Sequence, residues 1–93
     1  MGITLLVTVV SLNPRQAVGT VLIPTDLPVA PRAGERITHA PLFVSRAVLK
    51  VDFRPSERRI YVTLNDLETQ SLSEARMLLN LLVDRGSVLA RNN

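Results

Sequence analysis

The sequence contains no cysteine, no tryptophan, one histidine, and a single lysine, Lys50, among its eleven basic residues. Without cysteine there are no disulfides, no thiolate metal sites and no cysteine nucleophile. That fits a reducing compartment, and a cytoplasmic location is the expectation. His39 has no neighbouring histidine or closely spaced carboxylates with which to hold a metal ion. As a catalytic base it would need a nucleophile and an orienting carboxylate, and no motif brings Ser45 or Asp52 to it. It reads as an ordinary loop or edge-strand residue. The four glycines are scattered, so no glycine-rich phosphate loop and no nucleophile elbow can be built. The carboxylates form no obvious acid–base pair. Asp66 and Glu68 fall in a polar stretch before a helix, where they favour the positive end of its dipole. A non-enzymatic protein without metal or cofactor is therefore expected.

Aromatic residues are scarce as well: Phe43, Phe53 and Tyr61 are the only three. Ile, Val and Leu must fill the interior, and little is left to stack on single-stranded bases. Long apolar runs are also missing. The N-terminal "MGITLLVTVVSL" has neither a basic leader nor a small-residue cleavage site, and it is short of the about 20 residues that cross a bilayer. Leu6 stands where a myristoylation signal would carry Ser or Thr. No membrane association is expected.

What remains is a chain of 93 residues, 46% hydrophobic, with a formal net charge of +3 and a pI of about 10.6. That length suits one domain, residues 1–93 with an ordered core of about 3–90. Residues 3–10 alternate as a strand with Ile3, Leu5, Val7 and Val9 on one face and Thr4, Leu6, Thr8 and Val10 on the other. A turn at "NPRQ", with Pro14 leading a type I turn, joins it to a second strand over 17–23. Residues 24–36 form a long proline-rich loop, and a short strand around Ile37 is cut by Pro41. A second hairpin covers 42–64 with its turn at "RPSE". A four-residue loop there pairs Phe53 with Arg58, Val51 with Ile60, Leu49 with Val62, Asp52 with Arg59 and Lys50 with Tyr61, apolar to apolar and acid to base. The spacing of Leu72, Ala75, Leu78, Leu79 and Leu82 predicts a helix, opened by the capping box Ser71–Glu74 and stopped by Gly86. "SVLA", residues 87–90, suits a last short strand, and residues 91–93 a frayed end. The fold expected is α+β: a small antiparallel, curled or barrel-like sheet of two hairpins plus a short strand, covered by one C-terminal helix.

Three surfaces compete for function. Met77, Leu81 and Val83 widen the apolar stripe of the helix beyond what a small sheet can cover, which points to self-association, with a homo-oligomer as the expected state. The 24–36 loop, with Pro28, Pro31 and Arg32, is a second contact surface, open to another protein. It has the Pro-x-x-Pro spacing of a polyproline ligand but lacks the basic anchor, since Ala33 and Thr25 occupy those places. The alternative function is nucleic-acid binding by a basic strip of Arg46, Lys50, Arg54 and Arg59 on the second hairpin. Asp52 and Glu57 sit among these cations and partly neutralise them.

Overall fold

A computed structural model describes residues 2–90, with Phe43 described through its backbone alone. The expected fraying of residues 91–93 lies outside that range. In chain order the elements are β1 (Gly2–Leu12), β2 (Arg15–Thr25), β3 (Arg36–His39), β4 (Leu42–Arg54), a single 3₁₀ turn (Pro55–Glu57), β5 (Arg59–Leu64), β6 (Leu67–Thr69), α1 (Leu72–Asp84) and β7 (Val88–Leu89). The strands form one mixed sheet in the order β3-β4-β5-β1-β2-β7, with β6 also on β1. The sheet stays open and α1 packs on one face. The architecture is the α+β one expected, but it is neither barrel-like nor wholly antiparallel.

The parallel component comes from β1. On one side it pairs antiparallel with β2, from Ile3 opposite Thr25 to Leu12 opposite Arg15. On the other side it takes β5 along its first half and β6 along its second, both parallel. β5 and β6 thus behave as one strand, interrupted at Asn65 and Asp66. The polar stretch before the helix conceals β6, because a three-residue strand with two polar members carries no apolar alternation. The first turn also differs from expectation. Leu12 pairs directly with Arg15, so the turn is two residues long and Pro14 occupies its second central position.

The inner face follows the alternation of β1. Ile3, Leu5, Val7 and Val9 are buried, together with Val21, Ile23, Val62 and Leu64 on the flanking strands. α1 closes one end of this face with Ala75, Leu79 and Leu82. A helix of 13 residues is marginal in isolation. Burying two leucines supplies roughly 3–6 kcal/mol, enough to hold it. Its ends are well finished. Ser71 Oγ accepts the Glu74 N–H at 3.2 Å, while the Glu74 carboxylate accepts the Gln70 N–H at 3.0 Å, one residue earlier than a capping box requires. At the far end Gly86 has φ +104°, and the Ser87 and Gly86 N–H groups bond the Leu82 and Val83 carbonyls, a Schellman closure. β7 then returns to β2, setting Leu89 opposite Val21.

The 26–35 loop covers the other end of the face. Leu27 and Ala30 pack on the core. Thr25 Oγ1 donates to the Ile3 carbonyl at 2.9 Å, and the Gly34 N–H and Glu35 carbonyl bond both backbone groups of Val48. The proline-rich loop is thus a strap over the core that aims the chain into β3.

The second hairpin departs from its expected register. Arg54 pairs with Arg59, Phe53 with Ile60, Val51 with Val62 and Asp52 with Tyr61, a shift of two residues that keeps residues 50–54 on their expected faces. The loop is still four residues long but runs from Pro55 to Arg58, where Arg58 takes a left-handed φ of 52°. Further back, a bulge between Val48 and Lys50 turns Val48 inward opposite Leu64. The alternation that put Leu49 with Val51 and Phe53 and Val48 with Lys50 therefore breaks at this point. An all-apolar Val48–Leu49 pair satisfies either phase, so the sequence pattern contains no sign of the bulge.

Gly19 lies under the helix. A methyl group added there would come within 2.9 Å of Leu79 Cδ1 and 3.5 Å of Leu89 Cδ1. Leu79 is itself buried, so it has little room to yield. Gly19→Ala is expected to cost about 1–3 kcal/mol of stability in urea denaturation. In a Leu79→Ala background that cost should largely vanish, and a double-mutant cycle without coupling would contradict the packing described.

Candidate functional site

The apolar residues of α1 divide between two flanks. At 3.6 residues per turn, Leu81 and Val83 lie about 160° apart around the helix axis, on opposite sides of the buried stripe. Met77, by contrast, is one turn from Leu81 and about 40° away from it. All three side chains are exposed: Met77 by 68%, Leu81 by 47% and Val83 by 41%. The set proposed for self-association therefore splits into a Met77–Leu81 pair and a separate Val83.

The Met77–Leu81 flank borders a groove of about 250 Å³. One wall is the β3–β4 turn and the start of β4, with Pro41, Leu42, Val44 and Arg46; Leu67 of β6 lies between, and Leu78, Leu81, Leu82 and Arg85 of α1 form the other wall. The lining is apolar apart from the two arginines. Small-molecule sites usually span about 300–1,000 Å³, so this volume suits one or two side chains of a protein partner better than a cofactor. Sequence reasoning missed the groove because it joins residues 41–46 to 78–85, and no local pattern links the two.

Arg46 has a structural position in that wall. Its guanidinium donates to the carbonyls of Asn65 and Asp66, at the break between β5 and β6. Beside it, Asn65 Oδ1 accepts the Ala47 N–H and the Asn65 N–H reaches the Ala47 carbonyl, both at 3.0 Å. The Arg46 Nε is buried without a hydrogen-bond partner.

Arg46 consequently stands apart from the other members of the basic strip. Lys50, Arg54, Arg59 and Tyr61 do share the outer face, as the cross-strand pairs Lys50–Thr63, Asp52–Tyr61 and Arg54–Arg59 establish. Their charges are largely engaged with neighbours. Lys50 meets Asp52 at 3.5 Å, and Arg54 meets Glu57 at 3.5 Å while lying 4.5 Å over the Tyr61 ring. Arg59 donates to Thr4 Oγ1 at 2.8 Å. The ring that could have stacked on a base is thus already covered by Arg54.

The remaining sequence candidates are placed as follows. Pro28 and Arg32 are exposed and Pro31 is half-buried, while the intervening Ala30 faces the core, so the Pro-x-x-Pro stretch does not stand free. His39 ends β3 at the rim, its Nδ1 2.5 Å from the Ala40 carbonyl. Among the described residues no three His, Cys, Asp or Glu side chains are grouped to hold a metal ion, and no helix is long and apolar enough to cross a membrane. Compared with the models of known protein families, with curated proteins and with solved structures, the chain matches none.

The two kinds of arginine can be separated by substitution. Arg46→Ala removes charge-assisted bonds at the β5–β6 break and is expected to destabilise by about 1.5–3 kcal/mol. Arg54→Ala, at the surface, should stay within about 0.5 kcal/mol. Equal losses in thermal or urea denaturation would contradict the placement of Arg46.

Proposed function

We propose that this protein is a non-enzymatic interaction module that self-associates through the groove-side flank of α1. The observation that carries the reading is the exposure of Met77 and Leu81 beside an apolar groove of side-chain size. Exposed apolar patches of this kind mark contact sites, because leaving them in water wastes roughly 25 cal/mol per Å².

The charge order of the flank supports a second copy as the occupant. Glu74, Leu78, Leu81 and Arg85 follow at i, i+4, i+7 and i+11, so acid stands at one end, base at the other and leucine between them. Two such helices packed antiparallel about a two-fold axis set Leu78 against Leu81 of the second copy and Glu74 against its Arg85. The two-fold axis brings each flank of the stripe against the same flank of the second copy, so Met77 lies beside the second copy's Met77 flank, where its flexible side chain adapts the packing. Val83, on the far flank, has no part in this contact. The nucleic-acid alternative is weakened because Lys50 and Arg54 are already paired with carboxylates.

Size-exclusion chromatography with light scattering at micromolar concentration tests the proposal. Wild type is expected as an even-numbered oligomer. Leu81→Asp should lower its mass, and Val83→Asp should leave it unchanged. A wild-type monomer, or a mass indifferent to Leu81→Asp, overturns it.

A further inference from the structure

The second edge of the sheet is also unfinished. β3 pairs with β4 from Leu42 to Ala47, and the strap extends that ladder through Glu35 to Val48. Beyond Val48 no described strand lies on the outer side of β4. The open edge ends at Pro55, which begins the 3₁₀ turn. Within this window Leu49 is 57% exposed, Val51 37% and Phe53 54%. Val51 and Phe53 belong to the inner face, opposite Val62 and Ile60, yet both stay outside the buried core cluster. Lys50, Asp52 and Arg54 occupy the outer face. A row of unpaired backbone groups flanked by apolar side chains is a template for another strand.

We propose that the β4 edge pairs antiparallel with β4 of a second copy, about a two-fold axis at Val51, to continue the sheet across both subunits. This contact is separate from the helix contact. The charges select the register. Centring on Val51 places Lys50 opposite Asp52 of the other copy twice, sets Val51 against Val51 on the inner face, and brings Phe53 beside the bulge residue Leu49. Centring on Asp52 would oppose two aspartates and set Lys50 against Arg54, with like charges directly across the ladder. Centring on Phe53 would run Val51 into Pro55, which cannot donate to the ladder. A shift by one residue would set inner side chains against outer ones. Val51 is also the midpoint of the five residues 49–53 left open between the Val48 ladder and the turn. The Lys50–Asp52 contact within one strand, at 3.5 Å, already holds both side chains on the outer face where the cross-pairs would form. Two different two-fold contacts per chain imply a tetramer or a longer even-numbered assembly.

The test uses the Leu81→Asp chain, in which the helix contact is removed, so failure of one contact is read apart from the other. Because the chain has no cysteine, Val51→Cys introduces a single thiol. Mild oxidation is expected to give a covalent dimer from Val51→Cys and little from Phe53→Cys, whose neighbour is Leu49 of the other copy. Lys50→Glu or Asp52→Lys alone should weaken association roughly tenfold or more, by setting like charges opposite each other. Mixing the two single variants should restore it, because each then supplies the charge the other needs. Restoration on mixing cannot come from the pair within one strand, which stays broken in both chains. Circular dichroism confirms that each variant is folded. Equal cross-linking at positions 51 and 53, no recovery on mixing, or capture of a foreign extended peptide without self-pairing overturns the proposal.

Discussion

The structure depends on β1 having both of its edges filled. β2 occupies one edge along its whole length, and β5 and β6 share the other. This lets Ile3, Leu5, Val7 and Val9 form the centre of the core, with buried side chains of the neighbouring strands beside them. It also explains why Thr4 and Ser11, on the same strand, are buried despite being polar. The Thr4 hydroxyl accepts from Arg59, whereas Ser11 Oγ has no hydrogen-bond partner. Everything else attaches to this strand or its neighbours. α1 covers one end of its inner face, the strap covers the other, and the second hairpin reaches it through β5.

The limits of that covering decide which surfaces remain apolar and exposed. One helix of 13 residues and a ten-residue strap are a small lid for a sheet of seven strands. The uncovered parts include the groove-side flank of α1 and the inner face of β4 beyond the bulge. Both are bounded by charged residues in an order that a two-fold axis can match to itself: Glu74 to Arg85 along the helix and Lys50 to Asp52 along the strand. The outer face of the second hairpin lacks this combination. It is polar, and its cations are engaged with Asp52, Glu57, Thr4 and the Tyr61 ring.

Much of this is legible in the sequence where the governing signal is local. The alternation of residues 3–9, the Ser71 cap, the Gly86 stop and the proline-rich crossover each rest on a few neighbouring residues. What the sequence conceals is set by partners far along the chain. β6 is a strand because β1 offers it an edge, although its own composition is that of a turn. The bulge at Val48–Lys50 lies between two apolar residues that fit either phase. The two-residue shift of the second hairpin follows from where the left-handed Arg58 closes its loop, and both registers keep the same faces. The exposure of Met77 and Leu81 agrees with the width of the helix stripe, yet their separation from Val83 emerges only once the buried stripe is fixed. Arg46 looked like one more surface cation because its acceptors, the carbonyls of Asn65 and Asp66, are about twenty residues away.

The parallel seating of β5 and β6 beside β1 has a consequence for how the chain reaches its native state. The first hairpin closes through neighbours only a dozen or so residues apart and needs nothing further along the chain. The opposite edge of the same strand must wait until residues 59–69 have been made and brought back across more than fifty intervening positions. Such distant closure is slow because its entropy is lost before any contact repays it. During that interval the central strand of the core is left half-dressed, a ready template for a neighbouring nascent chain, and it is sealed only when residues 59–69 arrive.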